Sequence, residues 1–157
     1  MKKVKDFMNK KVVFFKPDDS IFDVAQTFAK LGISGAPVVS KGKVIGIISE
    51  TDLVKFMSMK LAYALNTMPL QSLSMLFFHL IKAGKYHLSV KKDIERLSKT
   101  KVKDVMTKEA VCVNPETNLF EAAAIMERYD INRLPVVSKG RLVGIIARAD
   151  LIKALIE

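Results

Sequence analysis

Apolar residues occur in short bursts divided by charged or turn-forming ones. Val12-Val13-Phe14-Phe15, bounded by Lys11 and Lys16-Pro17, predicts a buried strand. Ile21, Val24, Ala25, Phe28 and Leu31 then recur at helical spacing, behind the N-cap oxygens of Asp18-Asp19-Ser20 and before a stop at Gly32. Pro37-Val38-Val39 starts a second strand. Lys41-Gly42 fits a tight turn, and Val44-Ile45-Gly46-Ile47-Ile48 returns as the hairpin partner. Ser49-Glu50-Thr51-Asp52 opens a final helix, so the unit reads β-α-β-β-α.

The same pattern is written twice. Val4-Lys5-Asp6-Phe7-Met8 recurs as Val102-Lys103-Asp104-Val105-Met106, an offset of 98 positions. That offset carries Pro17 onto Pro115, Phe22 onto Phe120 and Ala25 onto Ala123. Pro37-Val38-Val39-Ser40-Lys41-Gly42 falls on Pro135-Val136-Val137-Ser138-Lys139-Gly140, Gly46-Ile47-Ile48 on Gly144-Ile145-Ile146, and Asp52-Leu53 on Asp150-Leu151. In the second copy Asn118 serves as cap, Leu119, Ala122, Ala123 and Met126 form the apolar helix face, and Leu142–Ile146 is the return strand. A register without insertions makes residues 1–59 and 99–157 structural equivalents, with residues 60–98 inserted between them. One unit alone would leave the outer face of a small sheet bare, so the copies should pack with pseudo-twofold symmetry, creating two equivalent clefts.

The loop of small residues before Pro-Val-Val, the Lys-Gly hairpin and Gly-Ile-Ile-Ser-Glu-Thr-Asp leading into a helix together resemble the CBS domain, named after cystathionine β-synthase. Two in tandem resemble a Bateman module. The resemblance implies an α/β (α+β) fold that regulates rather than catalyses, with an adenine nucleotide (AMP, ADP or ATP) or S-adenosylmethionine as a regulatory ligand in the inter-repeat clefts and no catalytic cofactor. Carried over to this chain, the family's motif covers Gly46 through Asp52. Asp52 would accept hydrogen bonds from ribose hydroxyls, since a carboxylate is acceptor-only and takes both protons. Ser49, Thr51 and the free N–H groups of the helix start would face a phosphate. From the other repeat, Asn132-Arg133-Leu134 before Pro135 would close this cleft and read the adenine edge with its backbone. Ser-x-x-Asp is equally the signature of a capping box, and spacing leaves both readings open.

In the second copy the motif is Gly144-Ile145-Ile146-Ala147-Arg148-Ala149-Asp150, so the acid remains and the capping hydroxyl is gone. Arg148 and Arg133 would then supply phosphate contacts by charge, opposite Asp150. Ser34-Gly35-Ala36 would form the adenine side of this second cleft, with Gly35 permitting close backbone approach. A turn glycine and solvated arginines are the plain alternatives.

The insertion carries Leu61, Leu65, Leu70, Leu73, Leu76, Phe77, Leu80 and Ile81, a spacing that predicts helices with a broad apolar face, divided at Pro69 and ended at Gly84. They pad the core, form a dimer contact or dock a target protein. Met57, Met59, Met68 and Met75 suit either a core or an adaptable surface. The apolar helices and the family resemblance together point to a homodimer in a flat, disk-like arrangement. Asn66, Pro69, Gln71 and His79 make the stretch Leu61–Ile81 a poor membrane span.

Known catalytic and metal motifs are absent from the sequence. His79 and His87 lack zinc-helix spacing, Cys112 has no second cysteine, and there is neither a phosphate loop ending in Lys-Ser/Thr nor a Gly-x-Ser-x-Gly elbow. Cys112 takes the place of Phe14 in the repeat and is expected in a strand core as an unreactive thiol. The lone cysteine and the lack of an apolar run behind the charged N-terminus lead us to expect a cytoplasmic protein. A net charge of +10 calls for an anionic partner or reflects a solvated lysine-rich surface. Two further functions therefore stand beside the ligand-binding module. One is nucleic-acid binding through the clusters Lys2-Lys3-Lys5, Lys10-Lys11 and Lys91-Lys92, which lack a stacking motif beside them. The other is a structural interaction subunit with empty clefts.

Overall fold

A computed structural model describes residues 1–67, with side chains to residue 59, and residues 99–156. In the first repeat a helical turn, α1 (Val4–Phe7), is followed by α2 (Ile21–Leu31), β1 (Gly35–Ser40), β2 (Lys43–Ser49) and α3 (Glu50–Thr67). The second gives α4 (Val102–Val105), β3 (Thr107–Lys108), α5 (Leu119–Arg128), β4 (Arg133–Ser138), β5 (Arg141–Ala147) and α6 (Arg148–Ile156). The expected caps are realised: Ser20 accepts from the N–H of Phe22, Asn118 from that of Glu121, and Gly32 ends α2 at φ 63°. Both hairpins turn through Lys-Gly pairs at positive φ, Lys41 and Gly42 at 51° and 77°, Lys139 and Gly140 at 49° and 76°. Two consecutive left-handed residues match the strand twist, which is why glycine holds the second position.

The run 12–15 does not become a strand. Only Phe15 pairs, in a single parallel bridge to Val38: its N–H donates to the carbonyl of Pro37 at 3.0 Å, and its carbonyl accepts from the N–H of Val39 at 2.8 Å. Extension in either direction needs an amide N–H that proline lacks, on Pro37 toward Val13 and on Pro17 toward Val39. The second repeat repeats the device with Val113, Val136, Pro135 and Pro115. Phe14 consequently points outward, 49% exposed. At the equivalent position Cys112 is half-buried and not a core strand residue; its thiol donates to the carbonyl of Ala110, and burial pushes its pKa up.

The two halves exchange their leading segments. Val102 lies in the core built by Phe15, Val24, Phe28, Val38 and Ile48, while Val4 lies in the core of Met126, Leu134, Val136 and Ile146. Backbone bonds hold each exchange: Val102 and Lys103 donate to the carbonyls of Asp19 and Pro17, and Val4 and Lys5 donate to those of Thr117 and Pro115. Charge repeats the symmetry. Lys101 and Lys103 flank Asp18 at 3.2 and 2.9 Å, and Lys3 and Lys5 flank Glu116 at 2.5 and 2.7 Å. Hydrogen bonds from Lys3 and Lys5 hold the Glu116 carboxyl down at about 2, and those from Lys103 and Lys101 lower that of Asp18. These groups are exposed, so they fix alignment more than they stabilise.

Past the repeat boundary, α3 runs on to Thr67, making the first eight positions of the insertion helical. The rest of it, including Met68, Pro69, Met75, His79, Gly84 and His87, lies outside the described residues. No helix among the described residues is long and apolar enough to cross a membrane.

Candidate functional site

The β2–α3 junction carries the site. Ser49 caps α3: its N–H donates to Asp52 Oδ2 at 2.8 Å, its hydroxyl donates to the same oxygen at 3.0 Å, and Asp52 N–H donates to Ser49 Oγ at 3.3 Å. The capping box anticipated from the spacing is therefore formed, and it fixes how the carboxylate is aimed. The other oxygen, Oδ1, accepts from the hydroxyl of Thr107 at 3.0 Å. Thr107 stands there because β3 pairs against β2, Thr107 opposite Ile47 and Lys108 opposite Gly46. Gly46 is required for this approach, since a Cβ on it would sit 2.6 Å from the Thr107 carbonyl oxygen and 2.9 Å from Met106 Sδ.

A cleft of about 670 Å³ opens beside Asp52, lined by Lys55, Phe56 and Met59 of α3 and by the segment Asp104-Val105-Met106-Thr107. That volume lies within the range of small-molecule sites. Phe56, Met59, Val105 and Met106 offer apolar walls to a flat ring. Asp52 offers an acceptor, Lys55 a cation and Asp104 a second acid. Lys55, Phe56 and Met59 follow Asp52 at i+3, i+4 and i+7, so helical geometry alone sets them on its face. The opposite wall follows from the exchange of leading segments, which no spacing within one repeat encodes. Among the described residues no group of three or more His, Cys, Asp or Glu is placed to hold a metal ion.

The remaining residues singled out in the sequence fall into separate places. Ser34 and Gly35 lie against their own repeat: the Ser34 carbonyl accepts from Glu50 N–H at 3.0 Å, and Gly35 pairs with Ser49. Arg133 crosses from the other repeat onto them, its guanidinium donating to Ser34 Oγ and packing over Gly35, where an added Cβ would meet Arg133 Cζ at 2.9 Å. Gly35 and Arg133 are equivalent positions, and the small residue on one side makes room for the large one on the other. Burial lowers the pKa of Arg133, opposed by the negative charge of Glu50. Ala36 and Leu134 are core residues, and Thr51 is exposed.

In the second repeat half of the capping box survives, with Ala147 N–H donating to Asp150 Oδ2 at 2.8 Å. Asn132 supplies a carbonyl to Arg148 N–H at 2.9 Å, and the Arg148 guanidinium lies 3.9 Å from Asp130. Arg148 therefore leans toward its own repeat, and only Arg133 reaches across.

Comparison with known proteins agrees with this architecture. The CBS domain family matches residues 4–59 and 102–157. An uncharacterized protein of Methanocaldococcus jannaschii, MJ1426, is 41% identical over 155 residues, covering 98% of this chain and 90% of its own length. Further curated relatives are longer, and the chain spans less than half of several of them. The structure of CBSX2 in complex with AMP matches with a TM-score of 0.71 at 24% identity, covering 99% of this chain and 97% of that one. The CBS domain pair of protein MJ0100, in complex with 5′-methylthioadenosine and S-adenosyl-L-methionine, matches with a TM-score of 0.69 at 22% identity, covering 99% of both chains. At these identities the likeness to the two structures is one of fold. The paired sheets, the exchanged leading segments and the family match over both repeats make this chain a member of the CBS domain family, carrying two CBS domains in tandem.

Proposed function

We propose that the chain is a non-catalytic regulatory module that binds an adenine-containing ligand, AMP, ADP, ATP or S-adenosylmethionine, in the cleft beside Asp52. The observation that carries this reading is a capped, oriented carboxylate at the edge of a cleft of about 670 Å³ with apolar walls and one lysine. Asp52, held by the Ser49 cap, takes the ribose hydroxyls, Phe56, Val105 and Met106 flank the purine, and Thr51 and the α3 N-terminus face a phosphate. Arg133, beside Ser34 and Gly35, adds positive charge on the Ser49 side, where β1 and β2 pair. Asp150 and Arg148 form a second, weaker cleft without the serine hydroxyl. The adenosine-type ligands held by CBSX2 and MJ0100 support the ligand class. A thermal-shift panel of AMP, ADP, ATP, S-adenosylmethionine and a short oligonucleotide tests it, because a ligand that binds only the folded state raises the midpoint. An adenosine ligand should raise it; a rise with the oligonucleotide alone would point to nucleic-acid binding.

The module is further proposed to work as a homodimer. Val54 and Met57 of α3 are 61% and 59% exposed, and their equivalents Ile152 and Leu155 of α6 are 64% and 77% exposed. Apolar faces repeated by the pseudo-twofold suit an isologous contact, which for a stable dimer buries roughly 2,000 Å² or more. Light scattering at micromolar concentration should give twice the chain mass, and Met57→Glu combined with Leu155→Glu should give a single chain mass. A single chain mass for the unmodified protein would contradict the proposal.

A further inference from the structure

We infer that Thr107 is a built-in competitor for the ribose site, and that a ligand gains Asp52 by displacing the Thr107 hydroxyl. The inference rests on the reading of Asp52 as the ribose acceptor and adds a residue that sets affinity there.

A carboxylate offers about four acceptor positions, two on each oxygen. Oδ2 of Asp52 is filled by the Ser49 N–H and hydroxyl, and Oδ1 takes the Thr107 hydroxyl, so one position is left. A vicinal diol donates two hydrogen bonds. It is accepted in full only if one internal donor leaves, and the donors differ in how readily they do so. Ser49 belongs to the helix cap. Thr107 reaches Asp52 from the exposed two-residue strand β3, and its rotatable hydroxyl can turn to water. Thr107 is therefore the donor that exchanges.

The second repeat lacks the device. Asn9 stands at the position equivalent to Thr107, and its side-chain oxygen accepts from the N–H of Lys11 at 2.9 Å, within its own turn. Asp150 accepts from Ala147 N–H, and no side-chain donor among the described residues reaches it. The competing hydroxyl thus belongs to the Asp52 cleft and not to its Asp150 counterpart.

Titration calorimetry of AMP and 2′-deoxy-AMP into the unmodified chain, Thr107→Val and Thr107→Ser tests this. Valine keeps the branched shape and strand preference of threonine and replaces only the hydroxyl, donor and acceptor alike, by a methyl group. Thr107→Val should bind AMP about threefold to tenfold more tightly, the equivalent of one net hydrogen bond no longer exchanged. Thr107→Ser should match the unmodified chain. 2′-Deoxy-AMP, which needs one acceptor position and not two, should gain less than about twofold. AMP affinity that is unchanged or reduced in Thr107→Val, while the unmodified chain binds AMP, would overturn the competitor role and leave the ligand reading standing. Absence of AMP heat from all three proteins at millimolar ligand would remove both.

Discussion

Replacing Asp52 with alanine is expected to weaken AMP binding by about tenfold or more, while Asp150→Ala leaves the tighter of the two affinities unchanged. A hydrogen bond to a charged group contributes on the order of 1.5–3 kcal/mol, and Asp52 is the acidic side chain held at the cleft edge in a complete capping box. The substitution also removes the partner of the Ser49 cap, with an expected cost of about 1 kcal/mol in stability. Asp52→Asn separates the two effects, because an amide oxygen still accepts from Ser49 N–H while its charge is gone. Calorimetric titration should therefore show reduced affinity in both variants, with the melting midpoint of Asp52→Asn closer to that of the unmodified chain. Equal affinities for Asp52→Ala and the unmodified chain would remove this cleft from the account.

The exchanged leading segments lead to a second large effect. Val4 is fully buried, against Leu134, Val136 and Ile146 and not against its own repeat. Val4→Ala removes two methyl groups from a closed core and is expected to cost about 2 kcal/mol. The location of the loss is the distinctive part. Amide hydrogen exchange should accelerate first in β4 and β5, at Val137 and Ile145, whereas Val102→Ala should loosen β1 and β2 at Val39. Acceleration confined to β1 and β2 in Val4→Ala would contradict the exchange.

Much of this arrangement was legible from residue order. Helices α2 and α5, their caps and both Lys-Gly hairpins follow from local periodicity and from a register of 98 positions, while the motifs around Pro-Val-Val and Gly46 through Asp52 carry the resemblance to CBS domains. What misled was a local rule applied without its partner: Val12–Phe15 has the composition of a strand, but Pro17 and Pro37 remove the donors that a ladder would need on either side. The apolar run thus supplies one bridging residue and an outward-facing Phe14.

The candidate site was legible in one wall only. Asp52 and Ser49 stand out as a motif, and Lys55, Phe56 and Met59 follow from it by helical spacing. Asp104 through Met106 were visible as the copy of an N-terminal motif, whereas Thr107, which replaces Asn9 of the first copy, was not singled out; the place of all four opposite Asp52 depends on long-range pairing of β3 with β2. The Arg133 contact with Ser34 and Gly35 is long-range in the same way. Repeat register hints at it, since a large and a small residue at equivalent positions can complement each other across a pseudo-twofold.

The most direct test of the central claim is a crystal structure of the chain grown with AMP. One nucleotide is expected beside Asp52, with both ribose hydroxyls within hydrogen-bonding distance of the carboxylate, the purine against Met106 and Phe56, and the Thr107 hydroxyl turned away. A nucleotide bound elsewhere, with Asp52 still accepting from Thr107 and the cleft vacant at saturating AMP, would contradict it.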